Sequence, residues 1–317
     1  MLEYPWNAVE EARISMRCAA IDLGTNTARL LIGDRDSNQL VTICVEREIV
    51  RLGGGFSHDC GLSDDAQERA LNCLKRFSVI MKEYGVRQIR ASATSAVRDA
   101  VNGRFFVERV LKDTGIKLAV IDGELEGRLT LRGVISGLDV IHDGMVVVDV
   151  GGGSTEFTIA EHGSILYVGS LPLGVVRLTE GFGTPEAMNE RICGILKELM
   201  SQIASTGVCI NPDSVMIATA GTATTLAAIK MVMVDYDYRR VNNFLISRSE
   251  IIEIYERLLP LNPLERLLIP GLEAGREDLI IAGILILLHS MDIFGFTCLK
   301  VSDYGLLEGL ALSDDEC

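Results

Sequence analysis

Residues 145–160 read MVVVDVGGGSTEFTIA. Met145 to Val148 is an apolar run rich in β-branched residues, which suits a buried strand. The run closes on Asp149, and Gly151, Gly152, Gly153, Ser154 and Thr155 follow. Glycines let the backbone bend tightly and come close to a ligand. Backbone N–H groups in such a turn, beside two hydroxyls, can cradle a phosphate. Phe157 to Ala160 then resumes as a strand. The unit is strand, glycine-rich turn, strand. It departs from the Walker loop and from the dinucleotide fingerprint, because both of those open a helix.

The unit occurs twice. Residues 18–33 read CAAIDLGTNTARLLIG, and Asp149 lies 127 residues after Asp22. At the same offset Gly24 matches Gly151, Thr27 matches Ser154 and Ile32 matches Ile159. Two ordinary β-hairpins with polar turns are the plain alternative. An acidic residue closing a buried apolar strand is costly unless something binds it, however, and here it recurs. The repeat predicts a duplicated domain.

The chain has 317 residues, enough for two domains of ordinary size. With 48% hydrophobic and 23% charged residues it can bury a large core, and global disorder is excluded. The net charge of −14 argues against nucleic-acid or anionic-membrane partners. It leaves room for an anionic substrate in a locally cationic groove. The eight cysteines include no C-x-x-C pair, so they read as reduced thiols of a cytoplasmic protein and not as a zinc site. Glu3, Glu10, Glu11 and Arg13 interrupt any leader-like apolar core. The apolar run Leu279 to Leu288 is too short to span a bilayer and reads as a buried helix.

Taken in order, residues 1–16 read as a short extension, with a helical turn over 10–16. Strands are predicted over 18–23, 28–33 and 40–50. Arg51 to Gly55 (RLGGG) is either a phosphate-approaching loop or a flexible turn. Ser63 caps a helix over 64–84 that Gly85 stops, and a strand follows at 88–93. Thr94, Ser95 and Arg98 then place two hydroxyls and a guanidinium at a strand end, a plausible anion site. A helix over 104–114, a strand over 116–121 and a helix from 122 to about 137 come next. Glu124 and Arg128 form an i,i+4 pair on that last helix, normally a solvated one. Glu126 points elsewhere. Alone, a first-turn glutamate more often complements the helix dipole than does chemistry. After the quoted hairpin come a strand at 165–171, a helix at 185–204 and a strand at 214–219. Gly221 and Thr222 open a further helix, a third loop suited to phosphate. Helices at 249–259 and 276–293, a strand at 297–301 and a helix at 304–312 complete the chain. No linker is visible, so the boundary is tight. The expected division is 17–132 and 133–301, with the closing helix 302–313 packing back on the first part.

These motifs resemble the Ppx/GppA family of exopolyphosphatases and guanosine pentaphosphate phosphohydrolases. The wording DLGTNTARLLI and DVGGGSTEF carries the resemblance, with ATSAVRDAVNG (93–103), the stretch Glu126 to Leu129, TAGTATTLAAI (219–229) and SDYGLLEGLAL (302–312) in the same order. It implies an α/β architecture: the duplicated actin-like ATPase (ribonuclease H-like) fold, two domains with mixed five-stranded sheets flanked by helices and a cleft between. It implies release of the terminal phosphate of polyphosphate or guanosine pentaphosphate with Mg²⁺ or Mn²⁺. By resemblance Glu126 is the general base, and Asp149 and Glu156 are catalytic and hold the metal. Asp22, Gly24, Thr25, Asn26, Thr27, Thr94, Ser95, Arg98, Gly151, Gly152, Gly153, Ser154, Thr155, Gly221 and Thr222 bind phosphate. The resemblance leaves room for a homodimer. Longer members carry a further C-terminal domain, so this chain reads as the short, two-domain type.

The sequence departs from the family pattern at Gly54, where an acidic residue is common, at Leu125 and Gly127, and at Leu307, where an arginine is common. Two rival readings follow. A kinase or ATPase of the same fold would use Gly221 and Thr222 against an adenosine. A non-enzymatic alarmone sensor would exploit the departures. Polyphosphate and guanosine pentaphosphate both remain open as substrates.

Overall fold

A computed structural model describes residues 16–36, 39–57 and 59–314. The helical turn expected over 10–16 lies outside the described residues, apart from Met16, which opens the first strand.

The first half runs β1 (Met16–Leu23), β2 (Thr27–Asp36), β3 (Gln39–Ile49), α1 (Asp64–Glu83), β4 (Gln88–Ala93), α2 (Ser95–Arg98), α3 (Gly103–Thr114), β5 (Leu118–Val120) and α4 (Gly123–Gly137). The second runs β6 (Gly144–Val150), β7 (Thr155–Glu161), β8 (Ser164–Leu171), α5 (Val175–Gly181), α6 (Pro185–Thr206), β9 (Val215–Thr219), α7 (Ala220–Lys230), α8 (Tyr238–Val241), β10 (Leu245–Ser247), α9 (Arg248–Leu258), α10 (Pro263–Arg266), α11 (Ile280–Phe294), β11 (Cys298–Val301) and α12 (Leu306–Leu312).

The first sheet has the order β3-β2-β1-β4-β5. β2 is antiparallel to both neighbours, and β4 and β5 run parallel to β1. The second sheet repeats that order as β8-β7-β6-β9-β11. This is the duplicated actin-like arrangement. One expectation needs correcting. The second sheet has six strands, because β10 adds antiparallel to β11 at the edge. Three residues give too little alternation to announce a strand.

β6 is buried along its whole length. Alternation splits its side chains between two packed layers. Val146 and Val148 join a core with residues of α6, α7 and α11, while Met145 and Val147 join one with Val134 and Leu131 of α4. The apolar run around Leu279–Leu288 is the buried helix α11, and no helix among the described residues is long and apolar enough to cross a membrane.

α12 packs along α4 and across β1 and β2. The crossing is glycine-dependent. A Cβ on Gly133 would lie 1.8 Å from the Gly305 carbonyl oxygen, and one on Gly309 would lie 1.9 Å from that of Leu129. This close approach at Leu129 and Gly133 seats the middle of α4, the helix that carries Glu126 in its first turn, against α12.

Candidate active site

The two hairpins close in the same way. Gly24 N–H donates to Thr27 O at 3.0 Å, and Gly151 N–H donates to Ser154 O at 3.0 Å. The loops then meet. A Cβ on Gly152 would lie 2.8 Å from Thr25 Cβ, and one on Gly153 would lie 2.6 Å from Ser95 Oγ. Glycine is therefore required by the contact between the halves. Thr25 Oγ1 and Ser95 Oγ are hydrogen bonded at 2.9 Å.

Between the loops lies a cavity of about 120 Å³. Of the residues expected at the site, Asp22, Gly24, Thr25, Asn26, Thr27, Thr94, Ser95, Glu126, Asp149, Gly151, Gly152, Ser154, Gly221 and Thr222 line it. Gly153 instead faces a neighbouring cavity that shares Thr25 and Ser95. Thr155 is turned away and donates to the Leu173 carbonyl. Glu156 is buried behind the lining. Arg98 also stands behind it, donating to Ile121 O at 3.1 Å and to Glu126 Oε2 at 3.3 Å. Glu124 and Arg128 form the expected exposed pair, at 2.7 Å.

The duplication is asymmetric in charge. In the first half Asp22 sits opposite Arg29 across the hairpin, and Arg29 holds it through two bonds of 3.1 and 2.7 Å. In the second half Asp149 sits opposite Glu156 in the equivalent register. One half thus carries a neutralised pair and the other two carboxylates. Their bonds are to hydroxyls: Thr130 donates to Asp149 at 3.1 Å, and Ser170 donates to Glu156 at 2.7 Å.

Burial has the consequence expected for carboxylates short of positive charge. It pushes Asp149 up to about 6, with Asp22 adding to the shift and Arg29 opposing it. It pushes Glu156 up to about 7, with the Asp149 charge adding to it. Glu126 is 7% exposed, and burial holds its carboxyl well above the ordinary glutamate value. Glu156, Asp149 and Asp22 add to that shift and Arg98 opposes it.

Asn26 supplies another sign of an absent partner. Its side-chain oxygen and nitrogen are both buried and make no hydrogen bond within the described residues. A buried amide without partners is rare and costly, and this one lines the cavity. Ala220, at the start of α7, holds a left-handed φ of 66°. Strain of this kind concentrates at ligand-binding turns.

Sequence reasoning missed four charged lining residues: Arg29, Arg47, Arg276 and Asp303. Arg276 packs so closely on Gly221 that a Cβ there would fall 1.6 Å from its Nη1. It also donates to Glu273 at 2.8 Å, and Glu273 pairs with Arg47 of β3 at 2.5 Å. Arg29 was legible in principle, since it occupies the repeat position of Glu156. The helix expected over 276–293 begins only at Ile280, so Arg276 lies in the irregular segment ahead of it.

The model of the Ppx/GppA phosphatase family matches residues 31–316. The chain belongs to that family. It is 31% identical over 314 residues to exopolyphosphatase 2 of Mycobacterium tuberculosis, covering 94% of this chain and 98% of that one. It is 34% identical over 316 residues to a bifunctional 3-dehydroquinate synthase/phosphatase of Fusobacterium nucleatum, and it spans 46% of that relative's length. Among solved structures, the Cytophaga hutchinsonii exopolyphosphatase aligns with a TM-score of 0.84 at 30% identity, covering 93% of this chain and 96% of that one. The Aquifex aeolicus Ppx/GppA family member aligns with a TM-score of 0.77 at 33% identity, covering 94% and 97%.

Proposed function

We propose that this Ppx/GppA phosphatase releases the terminal phosphate of inorganic polyphosphate, of guanosine pentaphosphate, or of both, by attack of water. One observation carries the reading. The buried carboxylate of Glu126 lines the same cavity as both hairpin loops. A kinase of this fold would need a substrate hydroxyl there. A hydrolase needs a base for water, and a buried glutamate with a raised pKa is a stronger base than an exposed one.

The residues divide the work by position. The hairpin around Thr25 and Asn26 and the hairpin around Gly152 and Ser154 grip the terminal phosphates from opposite walls, with the Asn26 amide finding its partner in a phosphate oxygen. The N-terminus of α7 at Gly221 and Thr222 adds backbone N–H groups. Glu126 orients the water and takes its proton. Arg98, bonded to Glu126, fixes the carboxylate's direction and supports negative charge as it develops. Holding water in line with the phosphorus supplies much of the rate in phosphoryl transfer.

Asp149 and Glu156 would hold a divalent cation. The donor set fits: two facing carboxylates, neither with a cationic bond of its own, both raised by burial, with the Asp149 charge adding to the shift of Glu156. Among the described residues no group of three or more His, Cys, Asp or Glu is placed to hold a metal. That suits Mg²⁺, which is usually held by one or two carboxylates together with waters and substrate phosphates. When bound, the ion neutralises charge on the phosphoryl group.

The test is phosphate release from tripolyphosphate, long-chain polyphosphate and guanosine pentaphosphate, side by side, with and without Mg²⁺ and with no other nucleotide present. Mg²⁺-dependent release from at least one of them is expected. A requirement for a nucleotide acceptor would make the protein a kinase. Tight binding of the guanosine compound without turnover would make it a sensor. Either result overturns the proposal.

A further inference from the structure

Away from the cleft, Asn189 and Cys193 stand one helical turn apart on α6, and His289 faces them from α11. Cys193 Sγ lies 3.6 Å from His289 Nδ1, and His289 Nε2 lies 2.9 Å from Asn189 Oδ1. An amide oxygen only accepts, so Nε2 carries the ring proton. Nδ1 then turns its lone pair toward the thiol. Contact therefore runs from a nucleophile to a base to the group that orients the base, the order found wherever a thiol or hydroxyl is activated by an imidazole. None of the three lines the cleft.

We propose that Cys193 is a modification site that forms a mixed disulfide with a small disulfide of the glutathione-disulfide class. His289 accepts the thiol proton at Nδ1, and Asn189 holds the ring in place. The Cys193 sulfur attacks one sulfur of the reagent. A new S–S bond forms, the reagent's S–S bond breaks, and the departing thiolate takes up a proton and leaves as a thiol. Cys193 is oxidised and the leaving sulfur reduced, so no further oxidant is needed.

The other cysteines set the contrast. Cys18 and Cys73 are buried, and burial pushes the Cys73 thiol up to about 12. Burial also raises Cys18, Cys44 and Cys298. Cys60 and Cys209 are exposed, and the Cys209 bond runs to a carbonyl, Gly207 O at 3.9 Å. Cys193 is only partly exposed. Accessibility alone would rank it below Cys209, whereas the imidazole contact ranks it above. Burial lowers the His289 pKa, with Arg248 adding to the shift and Asp292 opposing it, so the ring is in its basic form near pH 7.

The experiment follows each cysteine by site-resolved mass spectrometry while the folded protein is incubated with glutathione disulfide at pH 7.5. Cys193 is expected to be modified ~10-fold or more faster than Cys209, as general-base assistance requires. In His289→Gln its rate should fall to that of Cys209, with the Cys209 rate itself unchanged. Should that substitution disturb the helix pair, Asn189→Ala leaves the imidazole in place, and it should lower the Cys193 rate alone. A wild-type Cys193 no faster than Cys209, or a Cys193 rate indifferent to both substitutions, overturns the proposal.

Discussion

Glu308 offers a direct measure of the electrostatics beneath the cleft. It sits in the first turn of α12, is buried, and accepts a bond from Gly305 N–H at 2.7 Å. Burial pushes it up to about 7, against the pull of Arg29. The sign follows from proton binding. As pH rises above the ordinary value of 4.5, the unfolded chain releases this proton while the folded chain keeps it until about pH 7. The folded state then binds more protons, so stability falls as pH rises through that window and levels off above it. At about 1.4 kcal/mol for each tenfold change in proton affinity, the loss amounts to roughly 3 kcal/mol. Glu308→Gln keeps an oxygen for the Gly305 bond but does not titrate. Urea unfolding of both proteins from pH 4.5 to 8.5, without divalent cations, isolates the effect. Asp149, Glu156 and Glu126 also destabilise the fold as pH rises, but they do so in both proteins and cancel in the difference. The variant should gain on the wild type by roughly 3 kcal/mol across the window. A stability difference constant with pH would refute the assignment of a buried, proton-holding carboxyl at this joint.

Glu126→Gln should lower kcat by ~10²-fold or more with circular dichroism unchanged, as expected for loss of a general base; near-wild-type phosphate release would remove Glu126 from the mechanism. Asp149→Asn should raise the Mg²⁺ concentration for half-maximal activity by about tenfold or more, whereas an unmoved Mg²⁺ titration would clear Asp149 of any part in holding the ion. Gly133→Ala drives a methyl into the Gly305 carbonyl, which is backbone and cannot rotate aside; the expected loss is about 3 kcal/mol in urea unfolding, and an unchanged midpoint would show that the α4–α12 crossing is looser than described.

The repeat of Asp, Gly and Ser/Thr at a fixed offset was enough to read the duplicated architecture and both loops. The hairpin is local, and its chemistry is written in consecutive residues. The charge asymmetry was harder to see. Asp22 and Asp149 look alike in sequence, and only the strand register reveals that one faces Arg29 and the other Glu156. Thr155 and Ser154 are adjacent hydroxyls, yet Ser154 closes the turn whereas Thr155 opens β7. Only Ser154 lines the cavity. Arg47 and Arg276 were not legible because each reaches the cleft from a distant segment. They are placed by Glu273, which lies in neither helix nor strand.

The departures from the family pattern now have physical content. Leu307 stands where an arginine is common and is 1% exposed, packed with Leu31, Leu129 and Leu310. An arginine at that position would have to leave this apolar layer, so its loss reinforces the α12 contact with β2 and α4. Leu125 is 38% exposed and does not line the cavity, so its replacement of a frequent glutamate leaves the lining untouched. Gly127 lies under β7 and β8: a Cβ would fall 2.6 Å from Val168 Cγ1 and 2.9 Å from Thr158 Oγ1. With an alanine there, the helix turn that carries Glu126 would ride further from β7, which holds Glu156. Gly54 stands where an acidic side chain is common, and here the charge arrives from elsewhere. Glu180 of α5 accepts from Gly55 N–H at 3.3 Å, and its other oxygen lies 3.9 Å from the position a Cβ on Gly54 would take. A carboxylate on residue 54 would meet Glu180 at close range and repel it. Glycine at 54 therefore leaves room for Glu180, which brings a carboxylate from the second half of the molecule to this loop of the first.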